Sequence, residues 1–161
     1  FDVAIRMGNP QSSSLIARRL ANLACYLYAS PCYLENFDEP AHPADLAQHE
    51  CIGFKTAKAN TWTLHNADES VEVAVGGRFQ LNSVGLIRRL AILDLGIAVL
   101  PEEIVAEDVA QGRLCRIIPD WEGPSTPVYA VTETRLLPAK TQRFIDFLRE
   151  HLGKRYSLGQ G

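Results

Sequence analysis

Basic residues are too few here to dominate: 16 lysines and arginines stand against 19 aspartates and glutamates, a net charge of −3. That balance offers no basic face for the phosphates of a nucleic acid. Long apolar runs are also lacking. None approaches the roughly 18 residues of a membrane span, and no secretory leader is recognisable. Cysteine is sparse, and Cys25, Cys32, Cys51 and Cys115 show neither CxxC spacing nor the density of a disulfide scaffold. Reduced thiols in a cytoplasmic protein are expected, with Cys25 and Cys51 acting as small hydrophobes in apolar stretches.

Chemical motifs are equally scarce. No GxSxG surrounds any serine, so Ser12-Ser13-Ser14 is read as a solvated turn. The histidines (His42, His49, His65, His151) never sit at i, i+4 beside a glutamate, which leaves a helical zinc site unsupported. Gly76-Gly77 lacks the lysine and spacing of a phosphate loop and is read as a hairpin turn. Arg18-Arg19 and Arg88-Arg89 are isolated pairs, read as solvated or as ion-pair partners. Glu102-Glu103 fall in the first turn of a predicted helix, where carboxylates meet the dipole favourably. No catalytic set, metal or cofactor is predicted.

What is present is a globular alternation of strands and helices. Hydrophobic residues make up 47% of the chain, which argues against disorder. Phe1 to Gly8 reads as a buried strand needing partners on both sides, and so as the downstream part of a larger protein. Leu15–Leu20 and Leu23–Tyr28 read as two extended segments separated by Ala21-Asn22. Ser30-Pro31 starts a short helix to Asn36, and Pro43 starts another through Gln48. Cys51–Phe54 is a strand; Thr61–His65 and Ser70–Val75 flank a hairpin turn; Arg78–Leu81 is a further strand. Asn82-Ser83 caps a helix to about Asp94, and Gly96–Leu100 is a strand ended by Pro101. A helix to Ala110, strands at Leu114–Ile118 and Pro127–Thr132, and a last helix from Pro138 follow. In that helix Thr141, Phe144, Ile145, Leu148 and Leu152 share an apolar face. The class is α/β with mixed sheets.

Three features point to a small-molecule site. Ser83 stands at a helix N-terminus, where backbone N–H groups and the dipole attract an anion. Gly96 to Pro101 is a strand running into another helix start, and Arg6 ends a strand beside a glycine. Simple N-capping explains Asn82-Ser83 equally well.

In order, these segments resemble the effector-binding domain of LysR-type transcriptional regulators over about Asp2 to Leu152. The landmarks are Asp2–Gly8, Leu15–Leu20, Tyr28-Ala29-Ser30-Pro31-Cys32-Tyr33-Leu34 and His42-Pro43-Ala44-Asp45-Leu46. Trp62, Gly77-Arg78 and Asn82 follow, then Leu95-Gly96-Ile97-Ala98-Val99-Leu100-Pro101 and Gly112-Arg113-Leu114. Leu136–Lys140 and Phe144–Leu148 complete the set.

The resemblance implies a two-lobed fold like the type 2 periplasmic binding proteins, with a ligand cleft between lobes. Residues 1–28 and 125–153 correspond to an incomplete lobe one, 29–124 to lobe two and 154–161 to a flexible tail. The strands near Cys25–Tyr28 and Pro127–Val131 correspond to the hinge. The family's N-terminal DNA-binding domain, linker helix and first part of lobe one have no counterpart in this chain. Implied partners are a small effector, promoter DNA bound by the parent protein, and further copies in a homodimer or tetramer, in the cytoplasm and away from membranes. The effector site is placed at Arg6, Asn82, Ser83, Ala98 and Pro101, with Ser83 receiving a carboxylate or other acceptor. The rivals are a solute-binding protein of the same fold and, with less support, a small α/β enzyme.

Overall fold

The structure is a computed structural model that describes residues 3–8, 15–54, 60–133 and 136–155. The predicted Ser12-Ser13-Ser14 turn, the first two residues of the opening strand and the end of the tail lie outside the described residues. In chain order the elements are β1 (Ala4–Met7), β2 (Ile16–Leu23), β3 (Cys25–Ala29), α1 (Pro31–Asn36) and a 3-10 helix (Pro43–Gln48). Then come β4 (Cys51–Phe54), β5 (Thr61–His65), β6 (Ser70–Ala74), β7 (Gln80–Leu81) and α2 (Val84–Ile92). β8 (Ile97–Pro101), α3 (Glu102–Ala110), β9 (Cys115–Ile117), β10 (Thr126–Thr132) and α4 (Ala139–Arg155) complete the chain.

Two compact units result. One is Phe1–Leu23 with Ser125–Gly161, the other Ala24–Pro124. The predicted boundary after residue 28 therefore moves to Leu23/Ala24. The reason is hydrogen bonding: β3 pairs antiparallel with β8 and β9, so it belongs wholly to the second unit. Cys25–Tyr28 is a central strand there and not a crossing. The chain passes between units at Leu23/Ala24 and Pro124/Ser125.

The first unit is a three-stranded antiparallel sheet in the order β1-β10-β2, with α4 against it. Leu20, Leu23, Val128, Ala130 and Ile145 form its core. The register shifts opposite Val128/Tyr129, and the four successive β2 residues Leu20 to Leu23 are all buried. β2 thus runs unbroken through Ala21-Asn22, where two segments were predicted. The opening strand is also corrected. β1 lies at the sheet edge, and Ile5 and Met7 are 47% and 37% exposed. An apolar run predicts burial on both faces, which an edge position does not supply. On α4, Ile145 is fully buried, but Phe144 lies off the predicted apolar face and is exposed. The helix also runs on to Arg155, two residues into the predicted tail.

The second unit centres on a five-stranded mixed sheet in the order β7-β4-β8-β3-β9, with β4 parallel to both β7 and β8. Strand alternation sends Cys51, Ile97 and Leu27 to one face and Ile52, Ala98 and Tyr28 to the other. The first face packs on Trp62, Leu64 and Val73 of the β5-β6 hairpin and on Leu46 of the 3-10 helix. The second packs on Val84, Ile87 and Ala91 of α2 and Val105 of α3. Local signals account for the short helices. The Ser30 hydroxyl caps α1 at Tyr33 N, and His42 with Asp45 forms a capping box on the 3-10 helix.

Gly76-Gly77 is more than the predicted hairpin turn. Gly76 bridges Glu50 in parallel, and the Cys51 N–H donates to the Gly76 carbonyl at 2.9 Å.

Candidate functional site

In the second unit, β4 marks a change of direction. From β4 the chain adds β7 on one side and then crosses through α2 to add β8 on the other. In α/β sheets, ligands bind outside the carboxyl ends of strands at such a switch point. The pairings Phe54↔Leu81 and Ile52↔Ala98 place the ends of β7 and β8 at about the same height. Asn82-Ser83 follow the end of β7, and Pro101 ends β8. With strands about 4.8 Å apart, these points stand about 10 Å apart across β4.

The five predicted residues divide accordingly. Asn82 and Ser83 are exposed at the start of α2, and Pro101 is buried as the residue before α3. Ala98 lies deeper: it is wholly buried in the core beneath α2, so it supports the site without forming its wall. Arg6 is exposed on β1, opposite Tyr129, in the other unit. Within the second unit the structure therefore gathers Asn82, Ser83 and Pro101 at one strand-end level, with Ala98 buried below it, while Arg6 belongs to the first unit.

Ser83 caps its helix. Its hydroxyl oxygen accepts the Leu86 N–H at 3.2 Å, and its carbonyl accepts from Ile87 at 3.0 Å. A hydroxyl still has a proton to donate while accepting. Capping and ligand contact are thus compatible at this exposed position. The first-turn amides of Val84 and Gly85 have no intrahelical acceptor. α3 starts without a side-chain cap and carries Glu102 and Glu103 in its first turn.

Two polar groupings assemble in the fold, and of their members the sequence pointed only to Arg88 as an ion-pair partner. Near the start of β3, the Arg116 guanidinium lies 3.6 Å from the Tyr26 ring centroid, and the Tyr26 hydroxyl donates to Glu122 Oε1 at 3.4 Å. Glu122 Oε2 pairs with His65 Nε2 at 3.1 Å. Burial and the Glu122 carboxylate push the Tyr26 hydroxyl up, while burial takes the Tyr28 hydroxyl up to about 12. Tyr26 and Glu122 are 96 positions apart in the chain and His65 and Glu122 are 57 apart, and no spacing signals their meeting. The second grouping joins α2 to α3. Arg88 donates from Nε and Nη2 to the Asp108 carboxylate at 2.6 and 2.8 Å, and Arg113 Nε donates to it at 2.8 Å. The Arg88 guanidinium holds the Asp108 carboxyl below the usual carboxylate range. A sequence signal existed here: Asp108 sits three residues after Val105, on the apolar side of its helix.

The cysteines are free thiols. Burial lifts Cys51 to about 12, and the Asp94 carboxylate pushes the exposed Cys32 thiol up, so neither is primed as a thiolate. The histidines have local partners. His49 Nδ1 lies 2.8 Å from the buried Tyr33 hydroxyl, His42 packs on Trp121 and His151 on Phe147. Among the described residues no three His, Cys, Asp or Glu side chains gather as metal ligands, and no helix is long and apolar enough to cross a membrane.

Comparison with known proteins is consistent across sequence and structure. The family described as LysR substrate binding domain matches residues 1–153. The HTH-type transcriptional regulator PtxR of Pseudomonas aeruginosa is 36% identical over 156 residues, covering 96% of this chain and 50% of that protein. The HTH-type transcriptional activator AaeR of Escherichia coli is 32% identical over 153 residues, covering 94% and 50%. The chain thus spans about half the length of these relatives. Among solved structures, the regulatory domain of CrgA from Neisseria meningitidis superposes with a TM-score of 0.70 at 30% identity, covering 94% of this chain and 76% of that one. The regulatory domain of AphB from Vibrio vulnificus gives 0.66 at 34% identity, covering 94% and 75%.

Proposed function

The chain belongs to the LysR substrate-binding domain family, and from that membership we propose that it is the ligand-sensing regulatory part of a transcriptional regulator. Its fold is α/β of the type 2 periplasmic-binding-protein kind. The two compact units serve as the lobes. A small effector, with a carboxylate as the leading chemistry, binds at Asn82, Ser83 and Pro101. Ala98 acts as the buried floor. The parent protein binds promoter DNA through a separate domain, works as a homo-oligomer in the cytoplasm and carries out no catalysis. An effector that prefers one lobe arrangement shifts its population and so biases the attached DNA-binding domains.

The observation that carries this reading is the convergence of Asn82-Ser83 and Pro101 on the strand ends beside β4, at the switch point of the sheet. It is tested by a thermal-shift screen of small carboxylates on the full-length protein. A ligand at 100 times its Kd stabilises by about 2.7 kcal/mol. The hit is then repeated on Ser83→Ala. Loss of the shift supports the assignment, and a shift of wild-type size on that variant overturns it.

A further inference from the structure

We propose that Asp108, clasped by Arg88 and Arg113, is a positioning residue for the effector site, acting through Arg88 to fix the place of α2 and hence of Asn82-Ser83. The inference rests on the site reading given above. Asp108 is wholly buried, while Arg88 and Arg113 keep 32% and 41% of their side-chain surfaces exposed. Both carboxylate oxygens are engaged, with the Arg88 fork reaching across both and Arg113 adding a third bond. The Asp108 carbonyl also accepts the Arg113 N–H at 2.8 Å, so backbone and side chain anchor together.

Stability alone does not call for these charges. Apolar residues of α2 and α3 (Val84, Ile87, Ala91, Val105) already share one core. Exchanging a buried ion pair for apolar groups of similar volume is often neutral or stabilising. Apolar attraction, however, is non-directional. A helix held by it alone is less constrained to slide or roll on its sheet than one held by a two-pronged fork, whose geometry is directional. Arg88 lies five residues after Ser83, about 7.5 Å along the same short helix. Fixing its fork on α3 therefore fixes the height and rotation of the N-terminus that presents the Ser83 hydroxyl and the first-turn amides. Residues that lock a site from behind in this way govern its precision to within about 0.5 Å.

The test uses full-length protein labelled with 15N-leucine, with acetate as the carboxylate probe. The Leu86 amide, which donates to Ser83 Oγ, reports the position of the α2 N-terminus. In the double variant Arg88→Met/Asp108→Leu, which keeps only the Arg113 charge, 41% exposed to solvent, melting is expected to stay near wild type while the Leu86 cross-peak moves and acetate affinity falls at least tenfold. Arg88→Lys keeps the charge and the apolar stem but lacks the fork, and should show the same loss. A Leu86 cross-peak that stays in place in both variants overturns the proposal, as does wild-type acetate affinity in either. A double variant that melts far below wild type while Arg88→Lys binds normally makes the network a purely structural tie and also overturns it. If the cross-peak moves in the variants but acetate never perturbs the wild-type spectrum, the effector-site reading falls, while the placement of α2 by Asp108 stands.

Discussion

Adjacent glycines 76 and 77 should respond oppositely to the same methyl group. A Cβ on Gly77 would stand 2.0 Å from the Cys51 carbonyl oxygen, and 3.0 and 3.1 Å from the Cys51 carbonyl carbon and nitrogen. All three are backbone atoms, so no side-chain rotation relieves the overlap. Ordinary contact begins near 3.4 Å, so the segment must retreat from β4 by about 1.4 Å (3.4 minus 2.0). That motion strains the Cys51 N–H bond to Gly76 at 2.9 Å and the Gly53 N–H bond to Phe79 at 3.1 Å. Cys51 is buried, and a buried N–H left without its acceptor costs about 1–3 kcal/mol. With two such bonds strained, Gly77→Ala should destabilise by about 2–6 kcal/mol. A Cβ on Gly76 meets nothing within 4 Å, and its φ is not in the left-handed region. Gly76→Ala should then be neutral or stabilising by about 0.4–1 kcal/mol through the unfolded chain. At about 2–4 °C per kcal/mol for a chain of this size, the two variants should melt about 4 °C or more apart. Differential scanning calorimetry of both variants decides the matter. Melting points within 2 °C of each other would refute the close approach of Gly77 to β4.

Ser83→Ala removes the Leu86 cap and should lower stability by about 1 kcal/mol, measurable by urea unfolding; effector response is lost alongside only if the site reading holds. Stability should also depend on pH at both ends. The Asp108 pKa is depressed in the folded state, so its contribution is present above the unfolded carboxyl value, about 4, and disappears as pH falls through the lower folded value. Asp108→Asn should flatten the acid limb of a melting-point profile. Tyr28 and Cys51 are raised to about 12, so their contributions hold below the unfolded values and fade as pH climbs from about 9–10 toward 12; Tyr28→Phe should shrink the alkaline loss. On α4, Ile145→Ala removes a fully buried side chain and should cost about 2–5 kcal/mol, whereas Phe147→Ala, 60% exposed, should change little.

Local chemistry carried much of the fold into the sequence. Ser30-Pro31, His42-Pro43 and Ser83 cap their helices through hydrogen bonds that span a few residues, and the structure forms those helices where predicted. The β5-β6 hairpin likewise follows from alternation around a polar turn. The LysR resemblance was legible because an ordered set of short motifs is itself a property of the sequence. Of the candidate site, the capping role of Ser83 and the helix start at Pro101 were readable for the same local reason. Tertiary structure decided the rest, because it depends on which distant segments meet. Pairing of β3 with β8 and β9 moved the unit boundary to Leu23/Ala24, and an edge position exposed an apolar β1. Packing beneath α2 buried Ala98 completely, although its spelling resembles that of its neighbours in the strand. The same holds for Asp108 and for the two glycines: a carboxylate gains its role from arginines on another helix and a following loop, and Gly77 differs from Gly76 only through the passing backbone of β4.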